Sequence, residues 1–139
     1  MIPDVGSDLK VDLRIGFSTL KDKMVGPRGL IKKTEKLVKE APSDALKGSN
    51  CDDGDGIIKI MTEFRERLNE KLEEVENCRK GDVGSLQSSY TAMMREYVLK
   101  VQQPAEEVAS AMEFAIKQQR TTLKLLGMKN RYRITKFKE

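Results

Sequence analysis

Residues 57–77 read IIKIMTEFRERLNEKLEEVEN and carry the most regular hydrophobic pattern of the chain. Apolar residues recur there every three or four positions, and most positions between them are charged. The residues that mark this apolar face are Ile57, Met61, Phe64, Leu68, Leu72 and Val75. This spacing is typical of an α-helix with one apolar and one charged face. It predicts a helix of about five turns that packs against other helices through its apolar face.

Two helices are predicted before this stretch. The first carries an apolar stripe that Gly26-Pro27 ends, because neither residue favours continuation of a helix. The second covers residues 30–41 and stops at Pro42. We expect residues 43–56 to form a polar connector.

Two more helices are predicted after it. Gly81 closes the third helix and Asp82 caps the fourth. Pro104 fits the first turn of a fifth helix, for which Gly127 is the expected C-cap. We expect a break at Pro104, and the alternative is one long helix kinked there. The residues expected to be buried on the fifth helix are Val108, Met112, Ala115, Ile116, Leu123 and Leu126.

The predicted fold is all-α, an antiparallel bundle of four to five amphipathic helices. Aromatic residues make up only 5% of the chain, against 35% charged residues, which disfavours a β-sandwich or barrel. A length of 139 residues fits a single domain. We divide the chain into a helical bundle domain, residues 1–127, and a basic C-terminal tail, residues 128–139.

The composition argues against an enzyme. The chain has no histidine, which excludes catalytic triads and histidine-liganded zinc. Neither a CxxC pair nor a GxxxxGK[ST] or GxGxxG phosphate loop is present. We therefore expect no catalytic residue, no metal and no cofactor. No apolar run approaches the roughly 18 residues that a membrane span requires.

The segment SNCDDGDGI, just before the central helix, matches a calcium loop only in part. With Gly56 at loop position 6, Asp53 and Asp55 fall at positions 3 and 5. Cys51 and Thr62 then fall at positions 1 and 12, which require an oxygen ligand and a glutamate. We predict instead that Asp53 or Asp55 caps the helix and that the glycines form the turn.

Cys51 and Cys78 suit one disulfide of a secreted protein. A straight helix from Ile57 to Cys78 spans about 31 Å, whereas the six links from Cys51 to Ile57 reach at most about 21 Å. An intramolecular disulfide therefore requires the third helix to end early or to break. We expect such a bridge. Free thiols and pairing across an antiparallel dimer are the alternatives.

The C-terminal segment MKNRYRITKFKE has five basic residues against one glutamate, which accounts for the whole net charge of +4. A basic end with aromatic residues suits an acidic protein surface or an anionic polymer. Nucleic acid is disfavoured because the remaining sequence has no basic face or binding motif. The alternative is a solvated, frayed terminus. The candidate partner-binding residues are Lys129, Arg131, Tyr132, Arg133, Lys136, Phe137 and Lys138.

The start IPDVGSDLKVDL and the segments SNCDDGDGI and ENCRKGD belong to a short helical chain with two cysteines and a basic end. In this overall character the chain resembles the small salivary proteins of anopheline mosquitoes, the group of anophensin and albicin. The resemblance implies a secreted protein that acts by binding. Such proteins block host plasma cascades. They hold the convertase of the alternative complement pathway or occupy surface-binding sites of the kallikrein–kinin contact system.

Two functions of different classes are therefore expected. The first is a secreted, non-catalytic inhibitor whose partner is a complement convertase component or a contact factor. The second is an intracellular helical adaptor or structural bundle protein with a basic tail. One disulfide in the native protein would favour the first function, and free thiols would favour the second.

We predict that the chain binds no calcium tightly through Asp53 and Asp55, because both end ligands of the loop are missing. Calorimetric titration should show no dissociation constant below about 10 µM, the range of sensor loops. A tighter site that disappears in the Asp53→Ala, Asp55→Ala double variant would contradict this prediction.

Overall fold

The computed structural model describes residues 5–46 and 53–138 of the chain, with side chains described in residues 9–46, 53–79 and 81–128. The helices are α1 (Val5–Met24), α2 (Leu30–Glu40), α3 (Gly54–Asn77), α4 (Val83–Glu96) and α5 (Gln103–Lys138). No strand occurs in these ranges, so the predicted all-α fold is confirmed. A short 3₁₀ turn, Lys80–Asp82, leads into α4, and a π-helical segment, Tyr97–Gln102, joins α4 to α5.

The central helix, α3, lies against all the others. It contacts α1 and α2 on one side, and α4, α5 and the π-helical segment on another. Near its end the carbonyl oxygen of Glu76 accepts a 2.9 Å hydrogen bond from Lys10 of α1. Near its start a Cβ on Gly54 would overlap Val38 of α2 and lie 2.6 Å from Met112 of α5. Because the start of α3 meets the end of α2 and the end of α3 meets the start of α1, α3 runs antiparallel to α1 and α2.

The first two helices run in the same direction as the long C-terminal one. The rings of Phe17 and Tyr90 meet edge to face at 5.2 Å, and the Lys23 ammonium lies 5.7 Å from the Tyr97 ring centroid. Further along, Lys33 of α2 pairs with Glu113 of α5. Later residues of α1 and α2 therefore contact later residues of the α4–α5 stretch. The α1–α2 stretch and the α4–α5 stretch therefore run parallel on the surface of α3.

The core contains residues from every helix up to residue 116, but Leu72 and Ala115, two of the residues predicted to be buried, are only half-buried. Its α3 face is confirmed, since Ile57, Met61, Phe64, Leu68 and Val75 are all buried. The completely buried core residues are Phe17, Met24, Ile57, Met61, Leu68, Val75 and Val101. Methionine is common among them because its flexible thioether fills irregular gaps between helices.

Glycines make the turn between α1 and α2, as the Gly26-Pro27 pair predicts. Gly26 has φ = 101°, a left-handed conformation that favours glycine. A Cβ on Gly29 would overlap the carbonyl of Met24. The close approach lets α2 continue in the direction of α1 while its apolar face turns toward α3 and α5.

The predicted break at Pro104 is wrong, because the chain stays helical from Val83 to Lys138. Proline has no N–H and its ring crowds the carbonyl four residues earlier, here that of Lys100. The wider π-helical winding just before Pro104 relieves this clash and re-spaces the residues. Buried Val101 and Ala105 on either side hold the helix in place, so packing keeps a helix that local preference would end.

Two features fix the position of α3. The Asp53 carboxylate caps its first turn by accepting a 2.5 Å hydrogen bond from the Gly56 N–H, which confirms the predicted cap. Arg67 donates two hydrogen bonds, of 2.5 and 2.8 Å, to the Glu96 carboxylate of α4. The hydrogen bond from Arg67 lowers the pKa of Glu96. The bidentate geometry sets the position of α3 relative to the end of α4.

We predict that Leu68→Ala lowers the free energy of unfolding by roughly 2–5 kcal/mol, since it opens a cavity where the side chain has no solvent exposure. The control is Glu73→Ala on the exposed face of the same helix, which should change stability by less than about 0.5 kcal/mol. Urea unfolding of both variants measures the difference. Equal losses at the two sites would mean that the buried face of α3 is assigned incorrectly.

Candidate functional site

The long C-terminal helix extends beyond the bundle. Ile116 is the last buried residue of α5 among those with described side chains, and every residue from Lys117 to Met128 is exposed. The helix nevertheless continues to Lys138, about 33 Å past Ile116. We call residues 117–138 the helical extension. It is the part of α5 without a described packing partner.

Two expectations about this region are wrong. Gly127 does not end α5, since the helix passes through it. Among the described residues, no atom outside the neighbouring helix backbone lies within 4 Å of a Cβ built there. Leu123 and Leu126 are exposed rather than buried, although they continue the apolar row of Met112 and Ile116. The reason is tertiary: no described residue of α1, α2 or α3 packs against α5 beyond Ile116. The boundary between bundle and tail at 127/128 therefore does not coincide with a helix end.

The helical extension is strongly basic. It contains eight basic residues and no acidic one: Lys117, Arg120, Lys124, Lys129, Arg131, Arg133, Lys136 and Lys138. The remaining chain has 18 basic residues against all 22 acidic ones, a net charge of −4. The helical extension, with a charge of +8, is thus attached to a body with a net charge of −4. This difference in charge is larger than the one predicted from the sequence, between a neutral body and a +4 tail.

Large apolar side chains are also exposed on the helical extension and, at Phe114, just before it. Five of them, ending at Met128, are between 52% and 62% exposed: Phe114, Leu123, Leu125, Leu126 and Met128. Several large apolar residues exposed on one helix indicate a binding surface more strongly than single apolar residues scattered over the protein surface do. Basic and apolar groups together can bind an acidic surface that also offers apolar contacts.

The partner-binding residues predicted from the sequence, Lys129 to Lys138, lie in the last turns of the extension. Their backbone is helical rather than a disordered tail, and their side chains lie outside the described part of the chain. Sequence reasoning missed Lys117, Arg120 and Lys124 together with the exposed apolar residues. The signal was present, because no acidic residue occurs between Glu113 and Glu139.

The predicted disulfide meets a geometric obstacle. Helix α3 is continuous to Asn77 and Cys78 is its C-cap, so the shortened or broken helix that an intramolecular bridge requires is not found. The Cys78 thiol is half-buried and lies 3.3 Å from the Val75 carbonyl oxygen. Cys51 lies outside the described residues, and its pairing stays a prediction. A continuous α3 is compatible with free thiols or with a bridge between two copies.

A second candidate site lies where the α1–α2 turn meets the π-helical segment. An open groove of about 610 Å³ is lined there by the turn, by Tyr97 and Gln102, and by Glu106 of α5. π-Helical turns often occur at functional sites. The charges along this groove compensate one another, with Asp22 and Glu106 against Lys23 and Arg28. They select no class of ligand.

Tyr97, which lines this groove, has a shifted protonation equilibrium. Burial raises the pKa of its phenol, and the nearby Glu106 carboxylate raises it further. The ring packs against Phe64 at 6.0 Å and lies beneath Lys23. These contacts account for Tyr97 as a neutral core residue that joins α1, α3 and the long helix.

Other site chemistry is not supported by the described residues. No group of three or more cysteine, aspartate or glutamate side chains among them is placed to hold a metal ion. Within the same residues, no helix combines the length and apolar character needed to cross a membrane.

Comparisons of this chain with protein-family models, with curated proteins and with solved structures return no match.

We predict that alkaline pH destabilises the protein partly through Tyr97. Its pKa is raised on folding, so the folded state keeps a proton that the unfolded chain loses above about pH 10. The stabilisation is complete below that pH and is lost as the pH rises through the folded pKa. Urea unfolding at pH 8 to 11 should show a smaller alkaline loss for Tyr97→Phe than for the unmodified protein. Identical slopes would contradict the assignment.

Proposed function

We propose that this chain is a non-catalytic inhibitor that binds an acidic protein through the helical extension of α5. The observation that carries the proposal is the extension itself, a +8 helix with exposed apolar residues beyond the last buried residue, Ile116. The close-packed core of the bundle holds the first part of this helix, up to Ile116, in a fixed position. Binding at the extension requires neither a cofactor nor a catalytic group.

The distribution of charge supports fast recognition of an acidic partner. Like charges along one helix create a positive field that increases the rate of encounter with a negative surface. The exposed leucines and Met128 then provide the desolvated contacts that slow dissociation. Charge steering and apolar anchoring thus reside on the same element.

The specific form of the proposal is the one implied by the resemblance to anopheline salivary proteins. The chain would be secreted and would act on a host plasma cascade. Its partner would be a component of the alternative complement pathway convertase or a factor of kallikrein–kinin contact activation. Protein and polymer surfaces on which these cascades assemble are commonly acidic, which suits a basic helical extension.

A second candidate function is an intracellular helical adaptor. The observation that favours it is the continuous α3, which does not satisfy the condition for an intramolecular bridge between Cys51 and Cys78. Mass measurement of the native protein before and after alkylation separates the two. Two alkylated thiols support the adaptor, and none supports the secreted inhibitor.

We predict that the full chain inhibits either complement-mediated lysis or contact activation of plasma, and that removing residues 117–139 weakens inhibition at least about tenfold. The truncation removes no residue described as buried, so the melting temperature should stay within about 3 °C. Association should become slower and less dependent on salt concentration.

A matched pair of variants controls for overall charge. Lys117→Gln with Lys124→Gln should slow association, whereas Lys36→Gln with Lys39→Gln on α2 removes the same charge from the body and should not. No inhibition by the full chain in either assay would refute the plasma-cascade proposal. Full inhibition by the truncated chain would place the binding site elsewhere.

A further inference from the structure

We infer that the partner is a protein with an acidic groove that encloses the end of α5 and contacts it on two opposite sides. The inference rests on the proposed role of the helical extension in binding, and it adds the shape and chemistry of the partner. It follows from the positions of apolar and basic residues around the helix.

Exposed apolar residues occupy two opposite sides of the helix. At about 100° per residue, Leu123 and Leu126 fall on the side that Met112 and Ile116 use inside the bundle. We call Leu123 and Leu126 the inner pair. Leu125 and Met128 lie about 180° away and are equally exposed. We call them the outer pair.

The outer side begins before the helix leaves the bundle. Phe114 is 62% exposed and precedes Leu125 by 11 residues, about three helical turns, so it lies on the same side as the outer pair. An open surface depression of about 480 Å³ is lined by Phe114, Lys117, Gln118, Thr121 and Thr122. An apolar side chain of a partner can enter it next to the outer pair.

Basic residues separate the two apolar sides. Lys117, Arg120 and Lys124 are exposed and lie on one flank between the inner and outer pairs. The helical register gives Lys129 and Arg133 positions on the opposite flank. Around the helix, apolar and basic sectors alternate, and no acidic residue interrupts them from Lys117 to Lys138.

This arrangement is matched by an acidic groove with two apolar walls. A flat anionic membrane would cover one apolar side and leave the other in water, because a surface-bound helix buries a single face. A second copy paired through the same segment would bring a +8 helix beside another +8 helix. A flexible polyanion neutralises the charges without burying the leucines. Only an enclosing acidic groove accounts for the charge and for both apolar pairs.

The probe for the experiment is calcium-loaded calmodulin, an acidic protein that encloses basic amphipathic helices in an apolar groove. The full chain should bind it with a dissociation constant below about 1 µM by calorimetry. Leu123→Ala with Leu126→Ala, and separately Leu125→Ala with Met128→Ala, should each weaken binding at least about tenfold. Val11→Ala with Ile15→Ala, also exposed but on α1, is the matched control and should change nothing. Circular dichroism verifies that every variant remains folded.

The helical state of the extension is tested at one position. Gly127 is in the interior of α5 with open space around it, so Gly127→Ala strengthens the helix without adding a contact. Gly127→Pro keeps the charge and interrupts the helix. The alanine variant should bind as tightly as the unmodified chain or more tightly, and the proline variant at least about tenfold more weakly.

Four results would overturn the inference. The first is weaker binding in only one of the inner-pair and outer-pair variants, and the second is binding that Gly127→Pro leaves unaffected. The third is tighter binding to phosphatidylserine vesicles or heparin than to calmodulin. The fourth is a stable dimer that the inner-pair variant makes monomeric. The outcome is separable from the plasma-cascade proposal. A chain inactive in the lysis and contact assays can still bind the groove on two sides, and an active inhibitor can fail to do so.

Discussion

Burial of the apolar face of α3 is the constraint on which the structure depends. Ile57, Met61 and Leu68 have no solvent exposure, and the helices on both sides of α3 supply the covering surfaces. Removal of this apolar area from water is the main favourable term in folding. A helix with one continuous apolar face needs cover along its whole length, and this need sets how far α1, α2 and the long helix must extend beside it.

The long helix shows how packing overrides local preference. Pro104 disfavours helix continuation, and a break there would have displaced Val101, Ala105 or Val108 from the core. The π-helical segment keeps all three buried by widening the winding ahead of the proline. The continuous helix also supports the extension rigidly, because residues 97–116 pack against α2 and α3 before the helix extends beyond the bundle.

The bundle and the extension divide the physical roles of the chain. The bundle has compensated charges on its surface, including the Arg67–Glu96 pair and the mixed charges of the groove beside Tyr97. The extension has eight basic residues, no acidic residue, and exposed apolar residues on two sides. A fixed, preorganised helix loses less conformational freedom on binding than a disordered tail would, and this favours affinity for an enclosing partner.

The sequence alone determined the helical class, most of the buried face of α3, an aspartate cap at Asp53 or Asp55, and the turn at Gly26-Pro27. These features depend on local spacing and on the conformations of single residues, which a sequence displays directly. The basic end was also visible, although its full extent from Lys117 was missed. Tertiary structure decided whether the helix broke at Pro104 and whether Leu123 and Leu126 found cover. An apolar stripe looks the same in sequence whether or not another helix reaches it, so only the lengths and directions of the neighbouring helices could fix where the core ends.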